Sequence, residues 1–330
     1  MAVKTKNINI TYLGGAWSTN IGNAFIDLGS IQSLKMACPN ATVHFTSEIP
    51  QWFFDINRKN FHNALELASL IKSDYLVVSG MLCCDDFIKL FEPSISKLIK
   101  NKTKLIINGG GGARYSQKEV KNFRNFLRRN RPYAFISRDE PSFKNYNDLS
   151  ERSHNGVDCG FFLSDYYTQA DLNLPDFVVF NFDGSSFHKF IKLVKKILSF
   201  QKPTAKIPKI TDKLIIRTHH SSWPAWLHGA IDLGIPNDYF NKPNTLISDI
   251  PDDYLSLYAK TKATYSNRVH ACVATLSFGN PAMLFSNASR AYLFDKVGAN
   301  TIKEKPTYPD VKRIKQEKLK HLEFLSSILK

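Results

Sequence analysis

"TKLIINGGGGARYSQKEVKNFRNFLRRNRPYAFISRD", residues 103–139, reads as a strand that runs into four glycines, a helix, and a second strand. A strand, a crossover helix and another strand form the repeating unit of a parallel, doubly wound sheet. The same alternation extends outward on both sides. Upstream lie the strand "INITYLG" (8–14), a helix over 23–37, the strand "ATVHFTS" (41–47), a helix over 63–73, the strand "DYLVVSG" (74–80) and a helix over 87–100 interrupted by Pro93. Downstream a new cycle begins near Leu172. Strands are expected at 175–182, 213–220, 262–267 and 280–287, and helices at 187–200, 252–261 and from 267 onward. A basic helix over 311–330 closes the chain. The expected fold is α/β, with two Rossmann-like domains facing a cleft (1–168 and 169–330) and a C-terminal closing helix.

Composition fits this frame and narrows the partners. The chain has 330 residues, 43% of them hydrophobic and 22% charged, with a net charge of +15. That surplus favours acidic partners: nucleic acid, an anionic membrane surface or phosphorylated small molecules. The basic start leads into only a short apolar run, without the hydrophobic stretch and cleavage site of a signal peptide. No segment approaches the length of a membrane span. Five cysteines without a CxxC pair, Cys83 and Cys84 adjacent among them, point to a reducing compartment. The expected location is the cytoplasm, with peripheral contact at the inner face of the membrane as a further expectation.

In open α/β sheets ligands bind beyond the carboxyl ends of the strands. Four stretches fall there. "GGAWSTNIGN" (14–23) carries Asn20, Gly22 and Asn23, and "NGGGGARYS" (108–116) carries Gly109, Gly110, Gly111 and Gly112. "ISRDEPS" (136–142) carries Arg138 and Asp139, read either as a local ion pair or as ligand contacts. "YSNRVH" (265–270) places Arg268 and His270 at a helix start, with Ser266 or Asn267 as the cap. Cations are the wrong choice there for stability alone, because the helix dipole already makes that end positive. They fit an anion instead: an arginine forks two hydrogen bonds to a carboxylate or phosphate, and a histidine donates a proton near neutral pH. Ser289 and Arg290 stand at the next helix start. "RTHHSSWPAWLH" (217–228) offers His219, Trp223 and Trp226 as an acceptor-sugar platform or as hydrophobic anchors. No metal set accompanies the histidines, and neither a Walker loop nor a GxGxxG fingerprint occurs.

Taken in order, "NIGN", "GGGG", "RDEPS", "VDCGFF", "RVH", "GNP" and the "SR" of 289–290 resemble the polysaccharide pyruvyl transferase family across most of the chain. The resemblance implies a GT-B-like fold, phosphoenolpyruvate as donor and co-substrate without a further cofactor, and an acceptor glycan, free or lipid-linked. It places the essential arginine and histidine at Arg268 and His270. Two positions depart from the family pattern: Asn23 stands where an acid is usual, and Arg290 where a lysine is usual. Asp139 and Asp158 are the visible substitutes for the missing acid. On this reading His270 is the general acid, the arginines and the glycine-run amides hold the donor, and no nucleic acid is bound. Two alternatives use the same features: a glycosyltransferase acting on a nucleotide sugar, and a non-catalytic basic glycan-binding protein.

Overall fold

The computed structural model describes residues 7–17, 20–47, 67–181, 213–220, 243–286 and 288–330. Its first sheet is built from β1 (Ile8–Gly14), β2 (Ala41–Ser47), β3 (Tyr75–Cys83), β4 (Lys104–Gly112), β5 (Ala134–Ser137) and β6 (Arg152–Asn155). All neighbours run parallel, in the order β2-β1-β3-β4-β5-β6. The crossovers are α1 (Ile21–Ala37), α2 (Asp85–Lys100), α3 (Gln117–Arg129) and α4 (Glu140–Tyr146). The second sheet, β7 (Phe177–Asn181), β8 (Leu214–Thr218), β9 (Thr245–Leu246), β10 (Thr264–Ser266) and β11 (Ala282–Leu284), is also parallel, in the order β11-β10-β7-β8-β9. Between the sheets lie a 3-10 turn, Cys159–Phe162, and the short helix α5 (Leu163–Tyr166). The second half adds α6 (Pro251–Lys260), α7 (Val269–Ser277), a 3-10 segment Ser289–Val297 and the last helix α8 (Val311–Ile328). The strand order reverses between β1 and β3 in one sheet and between β7 and β10 in the other. Those two switch points open the crevices in which α/β sheets bind ligands.

Three apolar layers fix the halves. Phe87, Phe91 and Ile95 of α2 and Phe123 and Phe126 of α3 cover one face of the first sheet. Leu34 of α1 together with Leu325 and Ile328 of α8 covers the other, so the last helix lies on the first sheet although it follows the second in the chain. The third layer joins the halves: Ile21, Ala24 and Phe25 of α1 pack with Leu163, Phe177, Val179, Tyr254, Tyr258, Ala271 and Ala274. Helix α1 therefore serves both cores. Its Gly29 permits this, since a Cβ there would stand 2.0 Å from the Cys159 carbonyl oxygen.

Several local expectations are corrected. The described part of the helix expected over 63–73 is only a 3-10 turn, Leu67–Leu70. Two strands escape sequence reading: β6 is the polar tetrapeptide "RSHN" at a sheet edge, and β9 has two residues. The helix expected over 187–200 lies outside the described residues. All five cysteines are free thiols, so Cys83 and Cys84 are two buried core residues. Among the described residues no helix is long and apolar enough to cross a membrane.

Candidate active site

Arg138 follows β5, and its whole side chain is buried. Room for it comes from the glycine run: a Cβ on Gly111 would fall 2.2 Å from Arg138 Nε. β4 extends through the run, with Gly110 paired to Gly80 on one side and Ser137 on the other. A Cβ on Gly112 would meet the Tyr115 ring at 2.6 Å. The amides just beyond the run are already engaged, because the Glu119 carboxylate accepts from Ala113, Arg114 and Tyr115. Clearance for two bulky side chains is thus the visible reason for Gly111 and Gly112.

Sequence adjacency suggested that Arg138 pairs with Asp139. The structure gives it a nearer acid, since Arg138 Nη1 donates to Asp158 Oδ2 at 3.1 Å, whereas its Nε stands 3.9 Å from Asp139 Oδ2. Asp139 instead caps α4 by accepting from the Ser142 amide, and it accepts from the Tyr115 hydroxyl at 2.5 Å. Arg138 Nε and Nη2 are buried and make no hydrogen bond among the described residues. Burial opposes the charge of Arg138, but Asp158 and Asp139 more than restore it. A permanently charged fork is held with two donor atoms unspent, and buried donors left unsatisfied are costly.

The second half brings its own cations to the same place. α7 begins with Arg268 at the N-cap position rather than Ser266 or Asn267; the Ser266 hydroxyl accepts from the Arg268 amide, and the helix has no side-chain cap. His270, in the first turn, points Nε2 toward Asp158 Oδ2 at 3.4 Å. Asp158 Oδ1 accepts from the Gly160 amide. Burial pushes the Asp158 carboxyl up, but His270, Arg138 and that amide outweigh it and hold it well below the usual carboxylate range. Burial lowers the imidazole of His270; Asp158 resists this, while Arg138 and Arg290 add to it. Arg290 is depressed by burial and by repulsion from Arg138 and Arg268. Among the described residues Arg290 has no carboxylate partner.

The loop after β1 completes the wall. Asn20 caps α1 through the Gly22 amide and touches Asn23, and the Ile21 amide donates to the His220 carbonyl across the halves. Gly22 lies between two histidines: a Cβ there would be 3.5 Å from His270 Cβ and 3.6 Å from His220 Nδ1. Ser289 donates to the Ala113 carbonyl at 2.8 Å, which ties the segment carrying Arg290 to the loop after the glycine run. His219 is buried, with its carbonyl bound by the Tyr254 hydroxyl. Trp223 and Trp226 lie outside the described residues. A cavity of about 490 Å³ opens at the other end of α7, lined by Leu276, Phe278, Ile314 and Leu322. On this helix its lining begins at Leu276, roughly 9 Å along the axis from His270 at about 1.5 Å per residue, and it belongs to none of this chemistry. Among the described residues no group of three or more His, Cys, Asp or Glu could hold a metal ion.

A family model described as polysaccharide pyruvyl transferase matches residues 20–289, spanning Asn20, Arg138, Asp158, Arg268, His270 and Ser289. The chain belongs to that family. A member of this pyruvyl transferase family is a transferase, and the family implies a polysaccharide acceptor. No match was found among curated proteins. Solved structures show the fold. UDP-N-acetylglucosamine 2-epimerase from Rickettsia bellii has a TM-score of 0.59 at 11% identity, covering 98% of this chain and 96% of that one. A putative UDP-N-acetylglucosamine 2-epimerase from Listeria monocytogenes gives 0.56 at 12%, covering 98% and 91%. The S. aureus MnaA–UDP structure gives 0.55 at 14%, covering 98% and 90%. The architecture is accordingly the GT-B arrangement expected from the sequence.

Sequence reasoning missed Tyr115 and Asp27. Asp27 had a faint signal: it sits one helical turn beyond Asn23, where an acid is absent. Buried beneath the loop, it accepts from the Tyr12 hydroxyl, the Gly15 amide and the Trp17 indole.

Proposed function

We propose that this pyruvyl transferase family member moves the enolpyruvyl carbons of phosphoenolpyruvate onto two hydroxyls of one sugar, forming a cyclic ketal and releasing phosphate. The observation that carries the reading is the cluster of Arg138, Arg268 and Arg290, which act on one another around His270. Among the described residues Arg138 keeps two unspent donors, and Arg290 stands against Arg138 and Arg268 without an acid of its own. Phosphoenolpyruvate brings two anionic groups, which is the complement such a cluster needs. A planar guanidinium such as that of Arg138 suits a carboxylate, and Arg268 and Arg290 suit the phosphate.

The chemistry follows from His270. With Asp158 ionised, Nε2 carries the hydrogen that faces it, so the second proton of the imidazolium resides on Nδ1. Unliganded, the imidazole is disfavoured as a cation by burial and by two arginines. A bound dianion cancels that repulsion and raises the imidazole pKa, so binding itself loads the acid. Nδ1 then protonates the methylene carbon, and the oxocarbenium-like centre is attacked by one sugar hydroxyl, whose proton returns to His270. His270 passes that proton to the departing phosphate as the C–O bond to the ester oxygen breaks, and the second hydroxyl closes the ring and returns its own proton to His270. The arginines stabilise the leaving charge in a dry site. Positioned acid–base catalysis of this kind typically contributes ~10²–10⁴-fold.

The test is direct. Phosphoenolpyruvate should raise the melting temperature and yield phosphate with a panel of glycans, and His270→Ala should abolish release while remaining folded. Protection by UDP with none by phosphoenolpyruvate would replace this reading with nucleotide-sugar transfer.

A further inference from the structure

We infer that Tyr292, braced by Tyr115, forms a stacking platform for the pyranose ring of the acceptor at the rim of the cation cluster. This rests on the pyruvyl-transfer reading only for the role of the sugar; the site itself is argued from the two tyrosines. Tyr292 belongs to the 3-10 segment Ser289–Val297, in which Leu293, Phe294 and Val297 turn into the core while the Tyr292 side chain is 50% exposed. Its ring meets the Tyr115 ring edge-on, with centroids 6.3 Å apart at 69°.

Tyr115 is held with unusual firmness for a residue at a cleft rim. Its backbone adopts φ +56°, a left-handed conformation that glycine would take without strain. Its hydroxyl donates to the Asp139 carboxylate, accepts from the Gly112 amide, and lies 2.9 Å from the Ser142 hydroxyl. Three successive amides of its loop are fixed by Glu119. Strain of this kind persists where the surroundings over-determine it, and it collects at ligand sites.

The placement supplies the function. The Asp139 oxygen that takes the Tyr115 hydroxyl is also the one nearest Arg138 Nε, and Tyr292 follows Arg290 by two residues. The Ser289–Ala113 hydrogen bond locks the two rings' segments together across the halves. An exposed aromatic face bordering fixed cations suits a ligand with an apolar face and a hydroxyl edge. A pyranose has this shape: its C–H face can lie on Tyr292 while a pair of hydroxyls turns toward the donor. Tyrosine combines a flat apolar body with a polar tip, which suits such an amphipathic ring.

The experiment uses saturation-transfer NMR with methyl β-D-galactopyranoside and methyl α-D-mannopyranoside as probes on the full-length chain. At least one should show saturation concentrated on the protons of one ring face. Tyr292→Ala should weaken that binding roughly 5- to 10-fold, as expected for loss of an aromatic contact, and Tyr292→Trp should retain it. Phosphoenolpyruvate binding by calorimetry serves as the separate readout and should be equal in wild type and Tyr292→Ala. Equal sugar binding by wild type and Tyr292→Ala, or none by the wild type, overturns the platform. Failure of phosphoenolpyruvate to bind the wild type while the sugar still requires Tyr292 overturns the donor assignment and leaves the platform standing.

Discussion

Asp158→Asn isolates the contact on which the proposed proton transfer depends. The carboxylate touches His270 at 3.4 Å and Arg138 at 3.1 Å, and it is fully buried. At 3.4 Å, with an effective dielectric near 20, a carboxylate–imidazolium attraction is worth about 5 kcal/mol. That attraction favours the imidazolium against the burial and the arginines that oppose it. An asparagine keeps an oxygen for the Gly160 amide, but it removes the charge and turns an NH2 toward Arg138 and His270 in place of the accepting oxygen. The imidazole is then left with burial, Arg138 and Arg290, all of which disfavour its cation. Because a general acid works only while protonated, the alkaline limb of kcat/KM for phosphoenolpyruvate should move to lower pH by more than one unit. An NMR titration of the His270 ring should move with it. The same substitution strands the buried Arg138 charge, which typically costs ~3–5 kcal/mol of stability, so rates must be compared below the lowered melting temperature. A limb at the wild-type pH in folded Asp158→Asn would refute the coupling and remove Asp158 from the mechanism.

Two further outcomes follow from the same electrostatics. Arg290→Gln should leave the melting temperature of the unliganded protein unchanged or raise it, since Arg290 is opposed by burial, Arg138 and Arg268, while phosphoenolpyruvate affinity falls roughly 10²-fold; thermal shift with and without ligand reads both. Asp27 has its carboxyl raised by burial from 3.8 to about 6. The folded protein therefore holds a proton that the unfolded chain releases between about pH 4 and 6. Its contribution is complete below that window and is lost as pH rises through about 6, which amounts to about 3 kcal/mol. Asp27→Asn should flatten this slope in urea-unfolding profiles relative to wild type; parallel profiles would show that Asp27 is not buried as described.

The lesson of the site lies in which neighbours mattered. Arg138 and Asp139 are adjacent, and adjacency made a local ion pair a natural reading; the closer partner came from twenty residues away, after β6 had crossed the sheet edge. β6 itself left little trace, because an edge strand of Arg, Ser, His and Asn shows no alternation of apolar and polar residues. Ser266 was a reasonable cap for α7, yet its hydroxyl binds the Arg268 amide and the helix starts at Val269. Four glycines suggested a cradle of amides. The fold uses Gly111 to admit a buried guanidinium and leaves the following amides to Glu119.

Hydrophobic spacing and turn residues act over a few positions, and they were enough to read the strand–helix alternation and the strand ends carrying Arg138, Arg268, His270 and Arg290; the family was read from its resemblance to the ordered motifs. Tertiary structure alone decided that one carboxylate, Asp158, faces both Arg138 and His270, that α1 serves two cores, and that α8 returns to the first sheet. Side-chain charge is written in the sequence, but the field a group feels depends on distance and burial. Both are set only when the two sheets close upon each other.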